Sequence, residues 1–157
     1  RYPRHVVEKH PHLKGKDLET TRQSCEKFKH RPVAIMNFIE GTRFTPRKHE
    51  NQSSPYQHLL KPRAGGTAMI LYAMGARLQD LVDVTIAYPD GVPGLWEFFC
   101  GRTRKIRVHL QRRPIPEDLK DGRYFEDAPG RRRFYQWLDH LWSEKDDTLE
   151  ALLSEEG

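Results

Sequence analysis

The stretch Val33-Ala34-Ile35-Met36-Asn37-Phe38-Ile39, with Glu40-Gly41-Thr42-Arg43 directly behind it, decides how the rest of the chain is read. It is almost wholly apolar, too short for a good helix, and bounded by Pro32 and Gly41. That pattern predicts a strand buried on both faces, as in a parallel sheet covered by helices. Open α/β sheets bind ligands at the carboxyl ends of their strands, where the next four residues fall. Gly41 lets the backbone approach a ligand closely, and Thr42 offers a hydroxyl and an amide. Arg43 can grip a phosphate with two parallel charge-assisted hydrogen bonds. Glu40 can orient Arg43 or accept from a substrate hydroxyl. Taken as four residues alone, the same turn also reads as a surface loop with a capping threonine and an exposed ion pair.

Working outward, Arg1 to Lys16 is basic and interrupted by Pro3, Pro11 and Gly15, which predicts an extended lead-in. Asp17 has the character of an N-cap, and Leu18, Thr21, Cys25 and Phe28 follow at helical spacing. Beyond Arg43, the polar stretch from Pro46 to Pro55 reads as a loop. Ala64 to Leu78 reads as a helix with Ala68, Leu71 and Tyr72 on one face. Leu81 to Tyr88 alternates as a strand ended by Pro89. Lys105 to Gln111 alternates again, placing Ile106, Val108 and Leu110 inward and Lys105, Arg107 and His109 outward. After Pro114 and Pro116 comes a helical tail. Phe134, Trp137, Leu138, Leu141 and Trp142 form its apolar stripe, which Leu149, Leu152 and Leu153 continue. Helices and strands alternate, so the expected class is α/β. The expected division is an α/β part over residues 1–115 and a helical extension over 116–157.

The chain has 157 residues, with 27 Lys and Arg against 22 Asp and Glu, a net charge of +5, and 36% hydrophobic residues. Its longest apolar run, Ala68 to Ala76, is far short of the roughly 18–20 residues needed to span a bilayer. The first ten residues carry Arg1, Arg4, Glu8 and Lys9 and do not read as a signal peptide. Cys25 and Cys100 form no C-x-x-C and are expected as reduced thiols. His5, His10 and His12 fit no usual zinc-ligand spacing and are expected to be solvated. Arg131-Arg132-Arg133, close to Phe134, Tyr135 and Trp137, raises the alternative of a basic module for nucleic acid or an anionic surface. Those aromatics are expected on the helix's apolar stripe, however, and core packing accounts for them without stacked bases. The arginines could instead lie against anionic lipid headgroups.

Neighbouring residues read together narrow the field. Asn37-Phe38-Ile39-Glu40-Gly41-Thr42-Arg43-Phe44 resembles the third motif of the glycerolipid acyltransferase family, of the lysophosphatidic acid acyltransferase type. Tyr56-Gln57-His58-Leu59-Leu60-Lys61-Pro62-Arg63 is similar to the segment that follows this motif in one long-loop branch. Asp83-Val84-Thr85-Ile86-Ala87-Tyr88-Pro89 resembles that branch's fourth motif. Ile106 to Ile115, and Trp137 and Trp142 followed by Glu144-Lys145, resemble its C-terminal section. Arg1-Tyr2-Pro3-Arg4 resembles the tail of the second motif.

The resemblance implies transfer of a fatty acyl group from acyl-CoA or acyl carrier protein to the free hydroxyl of a lysophospholipid such as lysophosphatidic acid. No further cofactor is implied. Glu40, Gly41, Thr42 and Arg43 would form the acceptor site, with Arg63, Arg1 and Arg4 as further phosphate ligands. A membrane surface is the implied partner rather than nucleic acid, and the implied place is the cytoplasmic face of a bacterial inner membrane. One departure is Ile39, where most members have proline.

In this family a His-x4-Asp motif supplies the base, the histidine taking the hydroxyl proton and the aspartate orienting its ring. His12 and Asp17 match that spacing, but the interval from Asp17 to Glu40 is already filled by the Asp17 helix and the Val33 strand. The family needs a strand, a helix and the second motif there. The expectation is therefore that the chain is a C-terminal portion without catalytic residues of its own. The base motif is expected upstream of Arg1, and the chain is expected to be inactive by itself.

Overall fold

The computed structural model describes Gln23 and residues 32–155. The Asp17 helix, the His12 and Asp17 pair, the three N-terminal histidines, and Arg1 and Arg4 lie outside the described residues.

The elements run α1 (Pro46–Gln52), α2 (Ala64–Met74), β1 (Asp80–Ala87), α3 (Leu95–Phe99), β2 (Arg107–Pro114), a 3₁₀ turn (Glu117–Leu119), α4 (Arg123–Glu126) and α5 (Ala128–Ser154). The two strands pair antiparallel, with Val84 opposite Leu110 and Ile86 opposite Val108. A mostly parallel sheet is not shown. Val33 to Ile39, expected as a strand, is irregular over residues 32–38, and Met36 and Phe38 are exposed. Its backbone finds no ladder among the described residues, and a strand without a neighbour has no partner for its amides.

The stretch expected as a loop after Pro46 is instead α1. Thr45 is its N-cap and its hydroxyl accepts from the Lys48 amide at 3.3 Å, while Pro46 supplies a preset φ where no amide is needed. Helix α2 is shorter than expected and ends at Met74. It buries Ala64, Thr67, Ala68, Leu71 and Met74 along one side.

The tail helix forms where its periodicity places it. Asp127 caps it, accepting from the Gly130 amide at 2.5 Å, and Pro129 opens its first turn. Phe134, Leu138, Leu141 and Trp142 are buried on α5, with Leu138 fully so. They share one core with Leu59, Ala64, Ala68, Leu71, Ile115 and Leu119. Residues on both sides of position 115 therefore build a single apolar cluster.

The faces of the second strand are the reverse of the expectation. Ile106, Val108 and Leu110 point to solvent at 44%, 55% and 65% exposure, as do Val82, Val84 and Ile86. The inward positions go to Asp83, Thr85 and Ala87 on β1, and to Arg107, His109, Gln111 and Arg113 on β2. Helix α5 covers that face because it carries partners for it. Lys145 meets Asp83, Glu144 meets Arg113, and the carbonyls of Leu152 and Glu155 accept from the Arg107 guanidinium. Alternation alone marks two faces of a strand; the facing element decides which one is buried.

Candidate acceptor site

The turn after the apolar stretch is closed by the Gly41 amide, which donates to the Phe38 carbonyl at 2.9 Å. Gly41 has φ +69, the left-handed region in which a side chain is strained. The space above it is also taken. A Cβ there would meet Arg63 Cδ at 3.1 Å and Nε at 3.5 Å, so the Arg63 stem lies across the glycine. The Arg63 amide donates to the Ile39 carbonyl at 2.8 Å, locking the start of α2 to the turn. Asn37 Nδ2 adds a bond to Thr67 Oγ1 at 3.0 Å. The two segments read separately from sequence, residues 37–44 and 56–63, thus form one site.

Thr42 acquires a partner that sequence reasoning missed. Lys48, in the first turn of α1, donates from Nζ to Thr42 Oγ1 at 2.7 Å and to the Arg43 carbonyl at 3.0 Å. The signal lay in Thr45-Pro46: once these are seen as a cap and a first helical turn, Lys48 folds back over the turn they follow. Arg43 and Arg63 are exposed, so their guanidinium groups are open to an anion. Arg43, Lys48 and Arg63 place cationic charge around one glycine turn.

Glu40, the acid of this group, is half-buried and occupied. Its Oε1 accepts from the Leu60 amide at 3.2 Å, which ties the turn to the second segment. Burial pushes its carboxyl above the usual glutamate range, opposed by the Leu60 hydrogen bond and by the charge of Lys145. A raised carboxyl favours the neutral form in the fold, so the stability it contributes is present at low pH and is lost as pH rises through its folded value. Glu40→Gln keeps an oxygen for the Leu60 amide and removes the charge. It should flatten the dependence of unfolding on pH in that window without loss of stability at neutrality. Denaturant titrations across the window, compared with the parent chain, check this.

Gly41→Ala is expected to cost about 1 kcal/mol from the left-handed backbone alone. It should also displace the Arg63 stem, since the new methyl group sits within van der Waals contact of it. A thermal melt that does not move would remove the case for a strained turn.

Lys145 completes the arrangement from behind. Its Nζ donates to Asp83 Oδ1 at 2.6 Å, to the Val84 carbonyl at 2.8 Å and to Thr85 Oγ1 at 3.0 Å, and lies 6.0 Å from the centre of the Trp142 ring. Trp142 Nε1 in turn donates to the Leu60 carbonyl at 2.9 Å. Further along α5, Asp146 accepts from the amides of Gln57 and His58 at 2.6 and 2.8 Å, and Glu150 meets His58 at 2.5 Å. One side of α5 therefore clasps the segment that delivers Arg63.

Over 133 residues the chain is 26% identical to lysocardiolipin acyltransferase 1 of Gallus gallus, covering 76% of this chain and 32% of that protein. The chain is similar to acyltransferases. The proteins of the same name from Mus musculus and Danio rerio are each 25% identical, over 137 and 131 residues, and cover 78% and 76% of this chain. The chain spans about a third of the length of these relatives, 31% to 33%. No family model matches, and no solved structure matches. The similarity supports the acyltransferase family at a coarse level, and lipid metabolism with it; it does not reach the lysophosphatidic acid type.

These relatives come from a bird, a mammal and a fish, so they give no support to a bacterial inner membrane. Among the described residues no helix is long and apolar enough to cross a membrane. Nor does any group of His, Cys, Asp and Glu among them have the geometry to hold a metal ion.

Proposed function

We propose that the chain is the acceptor-binding part of an O-acyltransferase that moves a fatty acyl group from a thioester donor to the free hydroxyl of a lysophospholipid. One observation carries this reading: Arg63 lies across Gly41 while Lys48 holds Thr42, so that cations from separate segments converge on the Glu40–Arg43 turn. A phosphate monoester or diester presents oxygens that suit such a turn, and the Arg43 and Arg63 guanidinium groups supply paired donors for it. The similarity to acyltransferases supports the same reaction class. So does the way segments assigned by family resemblance meet: residues 56–63 join the Glu40 turn, and Lys145 joins Asp83.

In the proposed mechanism the site's own residues bind and orient. Arg43 and Arg63 hold the acceptor phosphate, Lys48 keeps the Thr42 hydroxyl and the Arg43 carbonyl in place, and Glu40 fixes the turn against Leu60. Fixing the phosphate sets where the acceptor hydroxyl lies, which is the larger part of what positioning can contribute. The base is supplied by a His-x4-Asp motif outside the described residues, and acyl-CoA or acyl carrier protein brings the acyl group without a further cofactor. Lysophosphatidic acid is the acceptor of choice, and the sheet is the C-terminal part of an α/β domain.

Two of the three arginines behind the alternative, a basic module for nucleic acid, have partners within the fold. Arg133 pairs with Asp118 at 2.9 Å, and Arg131 donates to the Tyr124 carbonyl and lies over that ring.

Calorimetric titration of the chain with lysophosphatidic acid, and with monoacylglycerol as the phosphate-free control, tests the reading. Binding that requires the phosphate is expected. Equal affinity for both would remove the acceptor site, and a salt-sensitive gel shift with duplex or single-stranded nucleic acid would favour the alternative. Acyl transfer by the chain alone, abolished by His12→Ala, would place the base at His12.

A further inference from the structure

Between β1 and β2 the chain makes an excursion over residues 88–106 that carries α3 at its tip. Nothing in α3 is buried, and among the described residues it packs extensively against no other helix or strand. Its side chains are nevertheless large and apolar. Val92, Leu95, Trp96 and Phe99 are 84%, 74%, 80% and 71% exposed, and Phe98 is half exposed beside Phe99. Leaving that many apolar groups in water on one tip is costly, and a contiguous patch of this kind marks a contact surface.

The charges on the excursion say what the contact is. Arg102, Arg104 and Lys105 follow α3 directly, and among the described residues none of them makes an ion pair. Of the two acids, Asp90 sits at the start of the excursion near β1. Glu97 is folded back, its carboxylate accepting from the Gly94 amide at 2.7 Å. The tip therefore presents tryptophan, phenylalanine and leucine with unpaired cations just behind them. Aromatic rings prefer the boundary between headgroups and acyl chains, and cations behind them meet anionic headgroups.

We propose that the 88–106 excursion docks the protein on an anionic lipid surface, with Trp96, Phe99 and Leu95 entering the headgroup boundary and Arg102, Arg104 and Lys105 lying against the headgroups. It does not depend on the acyltransferase reading, because its probe is a vesicle and its variants lie outside the Glu40–Arg43 site. Sedimentation of the chain with phosphatidylcholine vesicles, with and without phosphatidylglycerol, should show binding that needs the anionic lipid. Brominated acyl chains should quench the fluorescence of the parent chain, and Trp96→Phe should remove that quenching while the chain still binds.

The double variant Trp96→Ser with Phe99→Ser should weaken vesicle binding tenfold or more. Neutralising Arg102 or Arg104 should weaken it about fivefold for each charge lost. Far-UV circular dichroism identical to the parent would show that the variants remain folded, and an unchanged titration with lysophosphatidic acid would separate docking from acceptor binding. The proposal fails if the parent chain does not sediment with anionic vesicles, if the double variant binds as well as the parent, or if brominated lipid leaves Trp96 unquenched. It fails equally if the chain is a dimer in solution that the double variant dissociates, since the tip then covers a second copy.

Discussion

Lys145→Met is expected to lower the free energy of unfolding by about 3 kcal/mol, the scale of breaking one partner of a buried ion pair. Both side chains of the Lys145–Asp83 pair are only 12% exposed, and the ammonium group has all its donors engaged. Removing it leaves the Asp83 carboxylate and the Thr85 hydroxyl inside the interface between β1 and α5 without their shared donor. It also withdraws a positive charge that opposes the upward shift of Glu40, so the effect reaches the acceptor turn. The companion variant Asp83→Asn with Lys145→Met should recover part of the loss, because the stranded charge is then gone. Urea unfolding of the single and double variants measures both. A single variant within about 0.5 kcal/mol of the parent would mean that the pair is solvated in solution and does not hold α5 to the sheet.

Arg43→Ala and Arg63→Ala, each made in a chain that carries the catalytic base, are expected to raise KM for the phosphorylated acceptor by roughly 10- to 100-fold with kcat little changed. That range corresponds to the 1.5–3 kcal/mol of a hydrogen bond to a charged group. The two should not be additive if, as proposed, both guanidinium groups serve one phosphate. Arg43→Lys is an informative control: it keeps the charge and loses the planar fork, so a partial recovery of affinity would measure the share owed to paired donors. A KM unchanged by either alanine variant, or one that rises equally for a phosphate-free acceptor, would mean that the arginines do not read the phosphate. Lys48→Ala is expected to act more weakly and through position, since its ammonium group is spent on Thr42 and the Arg43 carbonyl.

Much of the candidate site was legible before the structure. Glu40, Gly41, Thr42 and Arg43 are adjacent in the chain, and the chemistry of a small residue between a hydroxyl and a guanidinium does not depend on what folds around them. Arg63 was legible only through the likeness of its segment to a known family. The reason for its place is an amide bond to Ile39 that no local pattern announces. Lys48 was missed because the polar stretch around it reads as loop unless Thr45-Pro46 is taken as a helix start. Glu40 was expected to orient Arg43 or accept from a substrate. Its Oε1 also holds the Leu60 amide, a contact between residues far apart in sequence that the sequence reading did not include.

What the sequence determined by itself is what repeats at short range. The 3.6-residue stripe of Phe134, Leu138, Leu141 and Trp142 specifies the buried side of α5, and alternation over Leu81 to Tyr88 specifies a strand, since both follow from the geometry of one element alone. What only the tertiary structure decided is which surfaces meet. Val82, Val84, Ile86, Val108 and Leu110 are the apolar side of their strands, yet they face solvent. Helix α5 brings Lys145 to Asp83 and Glu144 to Arg113, so the polar side of the strands is the one it covers. Periodicity reports that two sides differ; it holds no information about the element that will arrive from 60 residues away.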